Sequence, residues 1–280
     1  MKGIYFDGKD ALYREDLPMP VCRREESLVK IHLAAVCNTD KEVRRGYKPD
    51  FTGVMGHEFV GEVVSSPDAG WIGKRVVGEL NAACGKCVYC RTGRPTHCSQ
   101  RRVLGMTDKD GCFAAALEIL TQVHVSPDKN AAVLGDGRLA LMTAQVLALT
   151  GVDLTVIGRH EEKLEAFRPF AKVTRQGEKE GYEYVVECTG SPTGLPTALE
   201  LVRKKGTVIL KSTYAGNLNI NMSQVAVNEI TITGSRCGPF EPALKLLKEG
   251  KVRLPQIELH ELCDFEAAFA SKAFKAGFRL

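Results

Sequence analysis

The chain has 280 residues, 44% hydrophobic and 26% charged, with a formal net charge of +4. These values fit a water-soluble globular protein of one large or two medium domains. A charge this small, with no Lys/Arg block, argues against nucleic acid or a membrane surface as partner. The opening "MKGIYFDGKDALYRED" has no long apolar core, so it does not read as a signal peptide, and no apolar run is long enough to span a bilayer. Ten cysteines without a secretion signal point to metal ligands and free thiols in a reducing, cytoplasmic setting.

In chain order, "GIYFDG", "SLVKIHLAAV" and "EFVGEVVSS" read as short strands separated by Gly, Asp and Pro. Residues 80–112 are rich in Cys, Arg and Gly and predict a loop-rich lobe. From Lys129 the pattern alternates. "NAAVLGDG", "VDLTVIG", "EYVVECTG", "GTVILKST" and "EITITGSR" predict strands. "RLALMTAQVLALTG", "HEEKLEAF", "TGLPTALELVRKKG" and "EPALKLLKEG" predict helices. Strand and helix in repetition argue for an α/β fold with a doubly wound parallel sheet.

The stretch "CGKCVYCRTGRPTHC" places Cys84, Cys87, Cys90 and Cys98 at a C-x2-C-x2-C-x7-C spacing. Short C-x2-C turns aim thiolates at one ion, and a closed four-thiolate set holds zinc structurally. An iron–sulfur cluster is the alternative, but the last spacing differs from the ferredoxin run. His97 reads as a surface histidine beside a site the cysteines already fill.

Gly135, Gly137 and Ala140 form "GDGRLA", a G-x-G-x-x-A turn between a strand and a helix. That is the context for pyrophosphate at a helix N-terminus. After the next strand, Gly158 stands where an NAD site usually carries an acid, followed by Arg159, His160 and, a turn later, Lys163. Cations in place of a carboxylate favour a 2′-phosphate, so NADP(H) is expected in preference to NAD(H).

"AAVCNTDKE" and "VMGHEFVGEV" supply Cys37, Thr39, Asp40, His57 and Glu58. Cys and His suit a catalytic zinc with an open position. Asp40 would orient His57, and Thr39 would pass a proton. Taken singly, each of these residues is more often structural.

Taken together, "NTDKEVRRGYKPDFTGVMGHEFVGEV", the four-cysteine lobe, "GDGRLA" and "VVECTGSP" occur in an order that resembles the zinc-containing medium-chain dehydrogenase/reductases. These include the alcohol, threonine and sorbitol dehydrogenases. The resemblance implies a GroES-like catalytic domain over 1–114, with its zinc lobe at about 80–100, and a Rossmann domain over 115–250. Residues 251–280 would return to the first domain. The resemblance also implies structural zinc on Cys84, Cys87, Cys90 and Cys98. Catalytic zinc would sit on Cys37 and His57, with Glu58 beside the metal and Thr39 as relay. The expected reaction is hydride transfer between a small alcohol or carbonyl and a nicotinamide, in a homo-oligomer (dimer or tetramer).

One departure stands out. Relatives carry further strands and a third zinc ligand between "DGCFA" and "AALEIL", which here run together as "GCFAAALEIL". Aligned on that helix, the third ligand falls at Gly111, and Cys112 is the neighbouring thiol. The sequence therefore predicts a shortened catalytic domain and a weakly occupied catalytic metal site. An NADP-preferring zinc dehydrogenase is one outcome. A catalytically impaired member, acting as a nucleotide-binding or interaction protein, is the other.

Overall fold

The structure is a computed structural model that describes residues 1–280 except 23, 25, 49, 79, 80, 104–118, 121, 214–217, 236, 237 and 239. Gly111 and Cys112 lie outside the described residues, as does most of the "AALEIL" segment. The chain forms two compact units, Met1–Gly111 with Pro255–Leu280, and Cys112–Leu254.

The first unit begins with β1 (Gly3–Phe6), β2 (Ala11–Arg14), β3 (Leu28–Ala35), β4 (Gly53–Val54), β5 (Glu58–Ser65) and β6 (Arg75–Val77). β1 lies between β2 and β4 in a small antiparallel sheet. β3 pairs with β5 antiparallel, Ala35 opposite Glu58, and β5 pairs with β6. A seven-residue helix, Asn38–Arg44, follows β3 directly and was not anticipated from the sequence. In the cysteine-rich stretch the described elements are short: β7 (Asn81–Ala82), β8 (Arg102–Val103), a one-turn helix Val88–Arg91 and a 3₁₀ turn Pro95–His97.

The second unit contains β9 (Asn130–Leu134), β10 (Asp153–Ile157), β11 (Lys172–Thr174), β12 (Tyr182–Glu187), β13 (Val202–Leu210) and β14 (Thr231–Gly234). They form one sheet in the order β11-β10-β9-β12-β13-β14, with every pairing parallel. Both faces are covered, which is why Ala131, Ala132 and Val133 at its centre are fully buried. The helix Arg138–Ala148 packs one face through Ala140, Leu141, Ala144, Val146 and Leu147. The strand order reverses between β9 and β12, and in such sheets ligands bind beyond the carboxyl ends of the strands at that point.

The chain ends back in the first unit. β15 (Ile257–His260) runs parallel to β16 (Lys275–Arg279), and β16 pairs antiparallel with β3. A core of Ile4, Phe6, Val36, Val43, Phe265 and Phe278 joins the two ends of the sequence.

Candidate metal and dinucleotide sites

The pairing of β3 with β5 builds the first cluster. Ala35 faces Glu58 across the ladder, so Cys37, two residues past β3, meets His57, one residue before β5. Cys37 and His57 are buried, and the ligand atoms of Cys37, His57 and Glu58 lie within 4.8 Å of one another. The sequence placed Glu58 beside the metal; the geometry puts its carboxylate within the ligand group. Thr39 and Asp40 are buried in the same place. The Cys37 thiol lies 3.6 Å from Thr39 Oγ1.

Asp40 is the third residue of the helix that begins after Cys37. Its Oδ2 accepts the Cys37 backbone N–H at 2.8 Å, the reverse half of a capping box. Its Oδ1 lies 3.3 Å from His57 Nδ1, close enough for an ion pair although the ring N–H is not aligned for a hydrogen bond. Burial alone would push the imidazole pKa down. The Asp40 carboxylate and the Cys37 sulfur outweigh it and hold His57 up at about 10 in the metal-free protein. His57 Nε2 is buried and has no hydrogen-bond partner among the described residues. A buried nitrogen without a partner, next to a thiol and a carboxylate, fits a bound divalent cation.

The structure adds Lys275, which the sequence reading missed. Its Nζ donates to Val36 O at 3.0 Å and pairs with Glu58 Oε2. The ladder explains the placement. Gly277 faces Ala35, and Val36 N–H donates to Ala276 O, so Lys275 comes level with Cys37. The one signal in the sequence was a lysine inside the apolar strand "AFKAGF".

Cys84, Cys87, Cys90 and Cys98 converge, with their sulfurs within 4.8 Å of one another. The Cys87–Cys90 and Cys87–Cys98 sulfur separations are 3.5 and 3.8 Å. Four thiolates at about 2.3 Å from a tetrahedral zinc sit about 3.8 Å apart. Backbone N–H groups of Cys84 and Gln100 donate to Cys98 Sγ at 3.3 Å. Hydrogen bonding from the Cys90 and Ser99 backbone lowers the Cys87 pKa to about 5, whereas desolvation and its sulfur neighbours push Cys90 up to about 12. Sulfurs this close cannot all ionise without a cation, which is the donor set zinc requires. His97 is not part of this group.

In the second unit, Gly135 turns the chain at φ +126°, and a Cβ there would lie 2.9 Å from Cys188 O. Gly137 caps the helix Arg138–Ala148, and a Cβ on it would meet nothing within 4 Å. The space above a helix N-terminus is thus left open, as a pyrophosphate requires, while Ala140 is fully buried against the sheet. Arg159 and His160 follow β10. The Arg159 guanidinium has no ion pair or hydrogen bond with any described residue, and Lys163 is likewise without an ion pair. His160 is engaged: its Nδ1 lies 3.0 Å from Asp136 Oδ2. That oxygen also accepts the backbone N–H groups of Arg159 at 2.6 Å and His160 at 2.9 Å. Burial opposes ionisation of Asp136, but these donors and the His160 ring hold its carboxyl below the usual range. Asp136 could not be singled out from the sequence, because the middle residue of a G-x-G turn carries no assigned role.

Comparison with known proteins agrees with this architecture. Residues 23–128 match the family described as alcohol dehydrogenase GroES-like domain, and residues 139–249 match zinc-binding dehydrogenase. A sorbitol dehydrogenase of Halalkalibacterium halodurans is 28% identical over 317 positions, covering 94% of this chain and 92% of the relative. An L-threonine 3-dehydrogenase of Bacillus licheniformis is 25% identical, covering 95% and 91%. The first of these alignments is longer than the 280-residue chain, so a few dozen positions of that relative have no counterpart here. In fold, the chain is similar to the alcohol dehydrogenase TADH from Thermus sp. ATN1, with a TM-score of 0.87 at 23% identity and full coverage of both chains. It is also similar to a zinc-binding dehydrogenase from Sinorhizobium meliloti bound to NADP, with a TM-score of 0.86 at 19% identity, covering 100% of this chain and 99% of that one. The GroES-like and zinc-binding dehydrogenase matches, taken with the parallel sheet, show that the chain belongs to the zinc-type medium-chain dehydrogenase/reductases.

Proposed function

We propose that the chain is a zinc-dependent oxidoreductase that moves hydride between a small alcohol or carbonyl and NADP(H). The observation that carries the reading is that buried Cys37 and His57 and the half-buried Glu58 bring three possible ligand atoms within 4.8 Å of one another. Cys37, His57 and Glu58 would hold zinc with one position open. Zinc there supplies a Lewis acid for the substrate oxygen, and NADP(H) supplies the hydride acceptor or donor. Asp40 fixes the His57 ring from the Nδ1 side, leaving Nε2 to bind. The Thr39 hydroxyl, beside the Cys37 sulfur, takes the alcohol proton outward. Lys275 holds Glu58 in place. Gly135, Gly137 and Ala140 seat the pyrophosphate, and Arg159 reads the 2′-phosphate. Cys84, Cys87, Cys90 and Cys98 hold a second, structural zinc.

Sorbitol and threonine appear in the names of the relatives, so polyols and β-hydroxy amino acids are the first substrates to screen. The protein is expected to act in the cytoplasm as a homo-oligomer; among the described residues no helix is long and apolar enough to cross a membrane.

The test is a metal count paired with nicotinamide reduction over polyols, short alcohols and β-hydroxy amino acids. Two zincs per chain, one lost in Glu58→Gln together with turnover, is the expected result. Two zincs with no turnover on any substrate would instead favour the non-catalytic nucleotide-binding reading.

A further inference from the structure

Position 158 lacks the acid that binds a ribose diol, yet the end of β10 is not without a carboxylate. Asp136 reaches it from the glycine turn after β9. A Cβ on residue 158 would lie 2.7 Å from Asp136 Cβ, 2.9 Å from Asp136 Oδ2 and 2.8 Å from Leu164 Cδ2. The two positions compete for one volume: either residue 158 carries a side chain or Asp136 folds in, but not both. Gly158 is the counterpart of Asp136.

The use of that carboxylate differs from that of a strand-end acid. One oxygen is saturated by the Arg159 N–H, the His160 N–H and His160 Nδ1. The Asp136 side chain is only 12% exposed, whereas the His160 side chain is 53% exposed. The carboxylate therefore faces protein donors, two backbone N–H groups and the His160 ring. The same three contacts fix the backbone on which the uncommitted Arg159 guanidinium sits.

We propose that Asp136 is the positioning residue for cofactor selectivity: by pinning the 158–160 backbone and pairing with His160, it presents Arg159 to the 2′-phosphate of NADP(H) and keeps a carboxylate from opposing that phosphate. This rests on the NADP(H) reading above. Asp136 touches no cofactor atom in this role. It acts through Arg159, as residues that hold a recognition group act by preorganisation.

The experiment is calorimetric binding of NADPH and NADH to the full chain, with melting curves as a check on folding, for wild type, Asp136→Ala, Asp136→Asn and Arg159→Ala. Asp136→Ala should weaken NADPH at least tenfold and NADH less than threefold. Asp136→Asn keeps an oxygen for the two backbone N–H groups and should restore most of the NADPH affinity. Arg159→Ala should lose NADPH selectively and to a similar extent. Equal losses for both cofactors in Asp136→Ala, or no rescue by asparagine, would overturn the proposal, since a merely structural role predicts them. Tighter NADPH binding in Asp136→Ala would also overturn it, by showing that the carboxylate repels the phosphate. A selective loss in Arg159→Ala but not in Asp136→Ala sinks the positioning role alone. No selective loss in either variant sinks the NADP(H) reading with it.

Discussion

Asp40 stands three residues after Cys37, and that spacing lets its two oxygens serve different partners: the Cys37 backbone N–H and His57 Nδ1. The cluster at 37, 39, 40, 57 and 58 was legible only through the family resemblance, because taken singly each of these residues is more often a buried thiol, a capped turn or a core histidine. Lys275 and Asp136 were not, since each acts through a partner far away in the chain. The Asp40–His57 pair has a consequence for the metal-free protein. The folded imidazole has a pKa of about 10 against an ordinary 6.5. A raised folded value means that the pair stabilises fully below pH 6.5 and that this contribution is lost as pH rises through about 10. In chelator, the melting temperature of wild type should therefore exceed that of Asp40→Asn at mildly acidic pH, and the difference should shrink as the pH approaches 10. A difference independent of pH would show that Asp40 only caps its helix.

Among the elements, the alternation of strands and helices in the second unit could be read from apolar runs and closing glycines. The run "TGLPTALELVRKKG" predicts one helix, but the helix ends at Leu201 and β13 starts at Val202. Val202 is buried and pairs with Tyr182, and Lys205 turns at φ +64°, so tertiary pairing overrides the helix propensity of the Arg and Lys side chains. The cysteine lobe is the opposite case, where spacing predicted that the four cysteines converge but no periodicity predicted a fold. Its elements are two to four residues long, and of its four cysteines only Cys98 is buried, so little apolar burial supports it. If the lobe holds the proposed zinc, metal binding is the main folding energy of the segment. Cys87→Ser should remove one zinc and expose the amides of residues 84–103 to rapid hydrogen exchange, while β9–β14 keep their protection. Unchanged exchange in that lobe would mean that it holds together without metal.

At the scale of the whole molecule, the pairing that completes the candidate metal site joins residues more than two hundred positions apart. β16 lies against β3, and no local pattern in "FKAGFRL" announces that partner; only the family resemblance implied the return of the C-terminus. The consequence is a buried ion pair between Lys275 and Glu58, whose side chains are 8% and 17% exposed. Removing one partner of a buried pair typically costs about 3–5 kcal/mol, because the other charge stays behind uncompensated. With Glu58 partly exposed, Lys275→Met is expected near the lower end of that range in chelator. If Glu58 belongs to the ligand set, zinc supplies a second counter-charge, and the same substitution should then cost much less when zinc is added. Denaturant unfolding of wild type and Lys275→Met, each with and without zinc, measures both numbers. A loss that zinc leaves unchanged would place Glu58 outside the metal's reach and return the site to two ligands.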